Sequence, residues 1–214
     1  NFNSVYYLDQ TEYPPHMFRR HSPVKPEELE ESFLKLIGQI KREELRKFLE
    51  AVFFTHNLWE KFHVWPAAVT LHHAYTGGLL EHSVSVAIGA RDIAEHYNSF
   101  KISVDMDLVI AGALLHDIGK LEAYSIAPSP MMTLKGNVIE HVTLGYNMFM
   151  KFAEAENLSE DLTLELGHIL ISHHGKREFG SPVLPETPEA MIVSAADDLD
   201  FKLNYWKYQI DALN

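Results

Sequence analysis

An all-α helical bundle is the fold predicted by the chain. Apolar residues recur at intervals of three and four through most of it, the two-residue alternation of strands is nearly absent, and glycine and proline gather in short breaks between the periodic stretches. In an amphipathic helix such spacing lines up one buried face, and helices with one apolar face bury it against each other. No internal repeat interrupts this reading.

The elements follow in order. Residues 1–25 hold a short β-like piece, Val5 to Leu8, and then Pro14, Pro15 and Pro23 among polar residues, and are expected to be an arm or linker, or the remnant of an upstream domain. Residues 26–214 are expected to form the helical domain. Pro26 suits the first position of a helix, with Glu27 and Glu28 in its first turn. Leu29, Phe33, Leu36, Ile37 and Ile40 supply its apolar stripe. A second helix is expected from about Glu43 to Phe54 on Leu45, Phe48, Leu49 and Val52, then a helix-poor connector through Trp59, Phe62, Trp65 and Pro66. From Leu79 a long helix carries Leu80, Val84, Ala87 and Ile88 to about Tyr97. Further helices are expected over Asp105–His116, Gly136–Glu154, Asp161–His173 and Glu189–Lys207, the last two separated by a loop rich in Gly and Pro.

Composition sets outer bounds. At 214 residues, 46% hydrophobic and 22% charged, the chain has enough apolar content for one sizeable core. No apolar run approaches a membrane span and no secretory signal is visible, so the cytoplasm is the expected compartment. The absence of cysteine excludes disulfides, thiolate metal sites and cysteine nucleophiles. A net charge of −12 argues against a broad basic surface for nucleic acid, though not against one phosphate in a cation-filled pocket. The odd feature is 13 histidines, most of them clustered between His72 and His174.

The chain is organised around Leu114-Leu115-His116-Asp117-Ile118-Gly119-Lys120. A strongly apolar helix ends in an imidazole and a carboxylate side by side, and Gly119 supplies the stop. An unpaired carboxylate is costly to bury, and metal coordination offers a reason to place one there. His82 and His141 alone would read as hydrogen-bonded core histidines, His173-His174-Gly175 as an ordinary helix end, and Asp197, Asp198 and Asp200 as a solvated face. All of those readings must hold independently, and five helices each bring imidazole or carboxylate to an end or beside small residues.

The order His82, His116-Asp117, Asp197 resembles the signature of the HD metal-dependent phosphohydrolases over roughly residues 70 to 205. The resemblance implies that His82, His116, Asp117 and Asp197 hold one divalent metal in a helical bundle. Asp197 is preferred over Asp198 and Asp200 because it opens Ala196-Asp197-Asp198-Leu199-Asp200, which looks like the superfamily's Ala-Asp-x-x-Asp pattern. By the same resemblance His141 and His173 would hold a second metal with Asp117 bridging, and His174 is the rival to His173. Donors without thiolate suit Mn, Fe, Co, Ni or Zn, one or two ions per chain.

Within the superfamily, His72-His73-Ala74-Tyr75-Thr76-Gly77-Gly78-Leu79, the His116-Asp117 stretch, Gly136 to His141, and Ser172-His173-His174-Gly175 with Phe179-Gly180-Ser181-Pro182 resemble the HD-domain 3′-to-5′ exoribonucleases of the YhaM type. That resemblance implies a phosphodiester substrate, single-stranded nucleic acid or short oligonucleotides. Hydrolysis of nucleotides or signalling nucleotides is the alternative, and a metal-stapled binding module the second. In this reading Asp117 and Lys120 are catalytic, Lys120 neutralising charge on the phosphoryl oxygens. His72, His73, Tyr75, His174 and Arg177 are the expected substrate contacts.

Overall fold

The computed structural model describes residues 22–70, 73–126 and 129–211. The expected arm therefore lies almost wholly outside the described residues, and so does His72. The described residues form an all-α bundle. Helix α1 (Pro26–Gln39) starts on Pro26 with two acidic residues in its first turn and buries Leu29, Phe33, Leu36 and Ile37. Helix α2 (Glu43–Glu50) buries Leu45, Phe48 and Leu49 and runs into a π-helical turn, Ala51–Thr55. The connector expected to be helix-poor holds one short helix, α3 (Trp59–Phe62). Edge-to-face packing of Phe33 on Phe53 at 4.8 Å and of Phe53 on Phe62 at 5.0 Å joins these pieces.

Helix α5 (Met106–Leu115) is the axis of the bundle. Every residue from Leu108 to Leu115 is buried, so this helix is apolar all round rather than striped. The Asp105 side chain caps it by accepting from the backbone N–H groups of Asp107 and Leu108. Asp107 Oδ2 in turn accepts from the Lys41 and Arg42 N–H groups at 3.0 and 2.7 Å, which pins the corner between α1 and α2 to the start of α5. Helix α4 (Gly78–Ser99) and helix α10 (Pro188–Asp211) pack against α5 and against each other, and helix α9 (Glu160–Ser172) packs on the remaining side.

After α5 come a tight turn and helix α6 (Lys120–Ala123), then a strand pair absent from the sequence expectation, with β1 (Tyr124–Ser125) antiparallel to β2 (Met131–Met132). The stretch expected to be one helix over Gly136–Glu154 is two, α7 (Leu134–Ile139) and α8 (His141–Ala155). Glu140 breaks it with a φ of 70°, a conformation non-glycine residues seldom adopt, and the break makes His141 the first residue of α8.

Gly119 does a different job from the stop expected of it. Its φ of −64° is ordinary right-handed helix. A Cβ at this position would lie 1.9 Å from the His141 carbonyl oxygen and 2.4 Å from the Gly145 nitrogen. The missing side chain lets α8 press against the turn that follows Asp117.

Candidate metal centre

Three helix ends, the second turn of a fourth helix and the middle of a fifth meet at one place. His82 stands on the second turn of α4, His116 and Asp117 follow α5, His141 opens α8, His173 and His174 follow α9, and Asp197 and Asp200 lie mid-way along α10. Among the described residues, the expected site residues fall into one neighbourhood except for Arg177. Arg177 is exposed on the 3₁₀ turn Arg177–Phe179 and does not line the cavity, whereas Phe179 does.

Four of the five imidazoles gathered here, all but His141, are oriented by a hydrogen bond at Nδ1. His116 Nδ1 donates to the Ala113 carbonyl at 2.7 Å, His173 Nδ1 to the Leu170 carbonyl at 2.7 Å, and His174 Nδ1 to the Phe179 carbonyl. His82 Nδ1 donates to Asp200 Oδ2 at 2.8 Å. A proton fixed on Nδ1 leaves a lone pair on Nε2, and in all four residues Nε2 faces the same interior space.

The Nε2 atoms and carboxylate oxygens form two adjoining groups. In the first, His82 Nε2 lies 3.1 Å from His116 Nε2, 3.2 Å from Asp117 Oδ2 and 3.2 Å from Asp197 Oδ1, and His116 Nε2 lies 3.2 Å from Asp117 Oδ2. Ligands about 2.1 Å from one ion are separated by about 3.0 Å in an octahedron and about 3.4 Å in a tetrahedron, so these residues could hold an ion at this spacing, with His116 Nε2 and Asp197 Oδ1 the widest pair at 3.8 Å. In the second, His141 Nε2 lies 3.2 Å from His174 Nε2 and 3.4 Å from Asp117 Oδ1, and His173 Nε2 lies 3.8 Å from the same oxygen. Asp117 thus turns Oδ2 to one group and Oδ1 to the other.

Two buried atoms here lack any hydrogen-bond partner, Asp117 Oδ1 and His173 Nε2. Buried acceptors without donors are costly, and a cation between them removes that cost. The electrostatics agree. Burial opposes charge on His82, yet its hydrogen bonds to Asp117, Asp197 and Asp200 outweigh burial and hold the ring well above the usual imidazole range. Burial would raise Asp117, but Lys120 and His116 hold it well below the usual carboxylate range. Asp197 is lowered likewise, burial being overcome by the His82 hydrogen bond and by His116. The first group therefore calls for positive charge. In the second, burial pulls His141 down to about 3, and burial with the His174 and His116 rings holds His173 well below its ordinary value, which leaves neutral imidazoles ready to donate.

Lys120 is buried, and its Nζ meets Asp117 Oδ2 at 2.5 Å. Burial acts against its charge, but Asp117 wins and raises its pKa. Trp65 Nε1 donates to the Lys120 carbonyl at 3.0 Å and holds the start of α6. These groups line a cavity of about 510 Å³ whose other walls include Ala67, Ala68, Tyr124, Phe179, Phe201 and Lys202. Phe179 belongs to the stretch that resembles the exoribonucleases, whereas Tyr124, Phe201 and Lys202 were not among the expected residues, since residues on separate elements carry no pattern in the chain. His73 and Tyr75 are not on the cavity wall. They stand behind His82, where His73 Nε2 faces Asp200 Oδ2 at 3.2 Å and the Tyr75 hydroxyl donates to Glu81 Oε2 at 2.8 Å.

A helical bundle that gathers imidazoles and carboxylates around one buried aspartate is the frame of a metal-dependent phosphohydrolase. The chain belongs to the HD-domain family, whose model matches residues 79–202. That segment runs from the helix of His82 to the helix of Asp197 and contains both groups. No solved structure matches the chain. Among the described residues no helix is long and apolar enough to cross a membrane.

Proposed function

We propose that the protein is a two-cation phosphodiesterase that removes nucleotides from the 3′ end of single-stranded RNA or DNA, including short oligonucleotides. The observation that carries this reading is Asp117, whose two oxygens face two separate imidazole groups, His82 with His116 and His141 with His173. A carboxylate so placed suits a bridge between two ions. His82, His116, Asp117 and Asp197 would hold one, and His141, His173, His174 and Asp117 the other, so that both members of the His173-His174 pair serve. Bound divalent cations supply a water of lowered pKa and neutralise charge on the reacting phosphoryl group.

The chain's own groups do the rest. Asp117 fixes the separation of the two ligand groups. Lys120, kept charged by Asp117, presents an ammonium where negative charge builds on the non-bridging oxygens. Phe179, Phe201 and Tyr124 offer faces for stacking a terminal base, and Lys202, paired with Asp198 at 2.5 Å, stands at the wall for an incoming phosphate. The resemblance to YhaM-type exoribonucleases supports the polarity. The donor set of imidazole and carboxylate suits Mn, Fe, Co, Ni or Zn.

A second reading, hydrolysis of mononucleotides or signalling nucleotides, is favoured by the net charge of −12, which repels a long polyanion. The test is a substrate panel with the Mn²⁺-loaded protein. A 5′-labelled single strand shortened one nucleotide at a time, with nucleoside monophosphates released, supports the exonuclease. Turnover of mononucleotides alone, with the strand intact, refutes it and leaves the second reading.

A further inference from the structure

We propose that Asp200 is a positioning residue for the first cation group, clamping the far nitrogen of His82 and itself held by Ser85 and by His73, which Tyr75 backs in turn. This rests on the reading of His82 as a metal ligand. The two carboxylates of α10, Asp197 and Asp200, lie one helical turn apart and meet opposite edges of the same imidazole. Asp197 Oδ1 is 3.2 Å from Nε2, and Asp200 Oδ2 is 2.8 Å from Nδ1. The ring therefore separates their roles. Asp197 shares the Nε2 side with Asp117 and His116, and Asp200 is on the side an ion held by that nitrogen does not reach.

Both oxygens of Asp200 are engaged. Its Oδ2 accepts from His82 and faces His73 Nε2 at 3.2 Å, and its Oδ1 accepts from Ser85 Oγ at 2.5 Å. A separate cation among His73, His82 and Asp200 fits less well than this network. The 2.8 Å contact is a hydrogen-bond length, shorter than the roughly 3.0–3.4 Å between ligands on one ion, and a second metal on His82 would strip the Nδ1 proton.

The chain is strained to build this clamp. His73 has a φ of 51°, a left-handed conformation that costs a non-glycine residue of order 1–3 kcal/mol. It is buried, and its Nδ1 lies 2.8 Å from the Tyr75 hydroxyl, which donates onward to Glu81. Gly78, at the start of α4, makes room for it, because a Cβ there would sit 2.1 Å from the His73 carbonyl oxygen. Strain held in place by a close glycine contact and by the Tyr75 and Asp200 partners is what a fixed ligand needs. A carboxylate behind a ligating imidazole sets its tautomer and raises its basicity.

The experiment is a Mn²⁺ titration of the whole chain, counting free ion, beside thermal unfolding of the metal-free protein. Asp200→Ala should weaken the first-site affinity by about 10–100-fold with the saturating stoichiometry unchanged. Asp200→Asn, which still accepts from Nδ1–H without the charge, should lose less, and Tyr75→Phe less again. Unchanged affinity in Asp200→Ala overturns the proposal, and so does loss of one whole equivalent at saturation, since that makes Asp200 a ligand. Equal losses of affinity and of metal-free unfolding temperature in Asp200→Ala and Asp200→Asn also overturn it, by making the residue a fold support. If the unaltered chain binds no Mn²⁺, the metal reading itself fails and this one with it; if it binds and only Asp200 is silent, the metal reading stands alone.

Discussion

Lys120 Nζ and Asp117 Oδ2 meet at 2.5 Å across one helical turn, both buried, so a cation already faces the oxygen that the first ligand group shares. The ammonium is charge-matched to Asp117 but is not itself a ligand, and its partner oxygen also faces His82 and His116. Lys120→Ala should therefore leave metal content intact while lowering kcat by about 10²-fold or more, the scale for losing one donor to a developing oxyanion. Elemental analysis beside steady-state rates checks it. A variant that loses metal along with rate would place Lys120 in the fold of the site rather than in the chemistry.

The shared carboxylate sets an order of stoichiometries. Asp117→Ala removes an oxygen from each group and should leave no tightly bound ion, whereas His141→Ala should cost one equivalent and His116→Ala the other. Metal per chain in protein purified without chelator gives these numbers directly. Two equivalents in the unaltered chain and two in His141→Ala would contradict the second group.

What was legible in the chain differs from what was not for definite physical reasons. Helices α1, α4, α9 and α10 carry their own period, α5 shows as an unbroken apolar run, and His116-Asp117 stands out because the pair ends that run. The break at Glu140 left no trace, since a positive φ at a glutamate has no residue signature. Asp197 and Asp200 share one face of α10, and only the two edges of the His82 ring tell them apart. His73 and Tyr75 looked like residues beside a substrate because they flank a Gly-Gly turn. Their place behind His82 depends on α10 crossing α4, which local pattern does not encode.

Tyr75 gives the fold an alkaline limit. Burial, then the Glu81 charge and hydrogen bond, raise its phenol well above the ordinary tyrosine range. A raised folded-state pKa contributes stability that is complete below the unfolded value of about 10 and is lost as pH climbs towards the folded one. The unaltered protein should lose stability from about pH 10 upward at a slope of up to about 1.4 kcal/mol per pH unit from this group. Tyr75→Phe should be weaker by about 1 kcal/mol at pH 8, from its lost hydrogen bonds, and flatter above pH 10. Guanidinium midpoints at pH 8 and pH 11 test both signs, and an unchanged slope would contradict the assignment.

Two glycines should respond to alanine in opposite directions. Gly89 lies within α4 with nothing inside 4 Å of a Cβ, so Gly89→Ala should stabilise by about 0.5–1 kcal/mol through helix propensity. Gly119→Ala would drive a Cβ to 1.9 Å from the His141 carbonyl oxygen, against backbone that cannot rotate away. The relief is to push the start of α8 outward, at about 1–3 kcal/mol, and that movement carries His141 away from Asp117 Oδ1. Gly119→Ala should then lose stability and the second ion together while keeping the first, as read by thermal unfolding and metal count. Retention of both ions would mean that His141 is held by something other than the contact of α8 with the turn after Asp117.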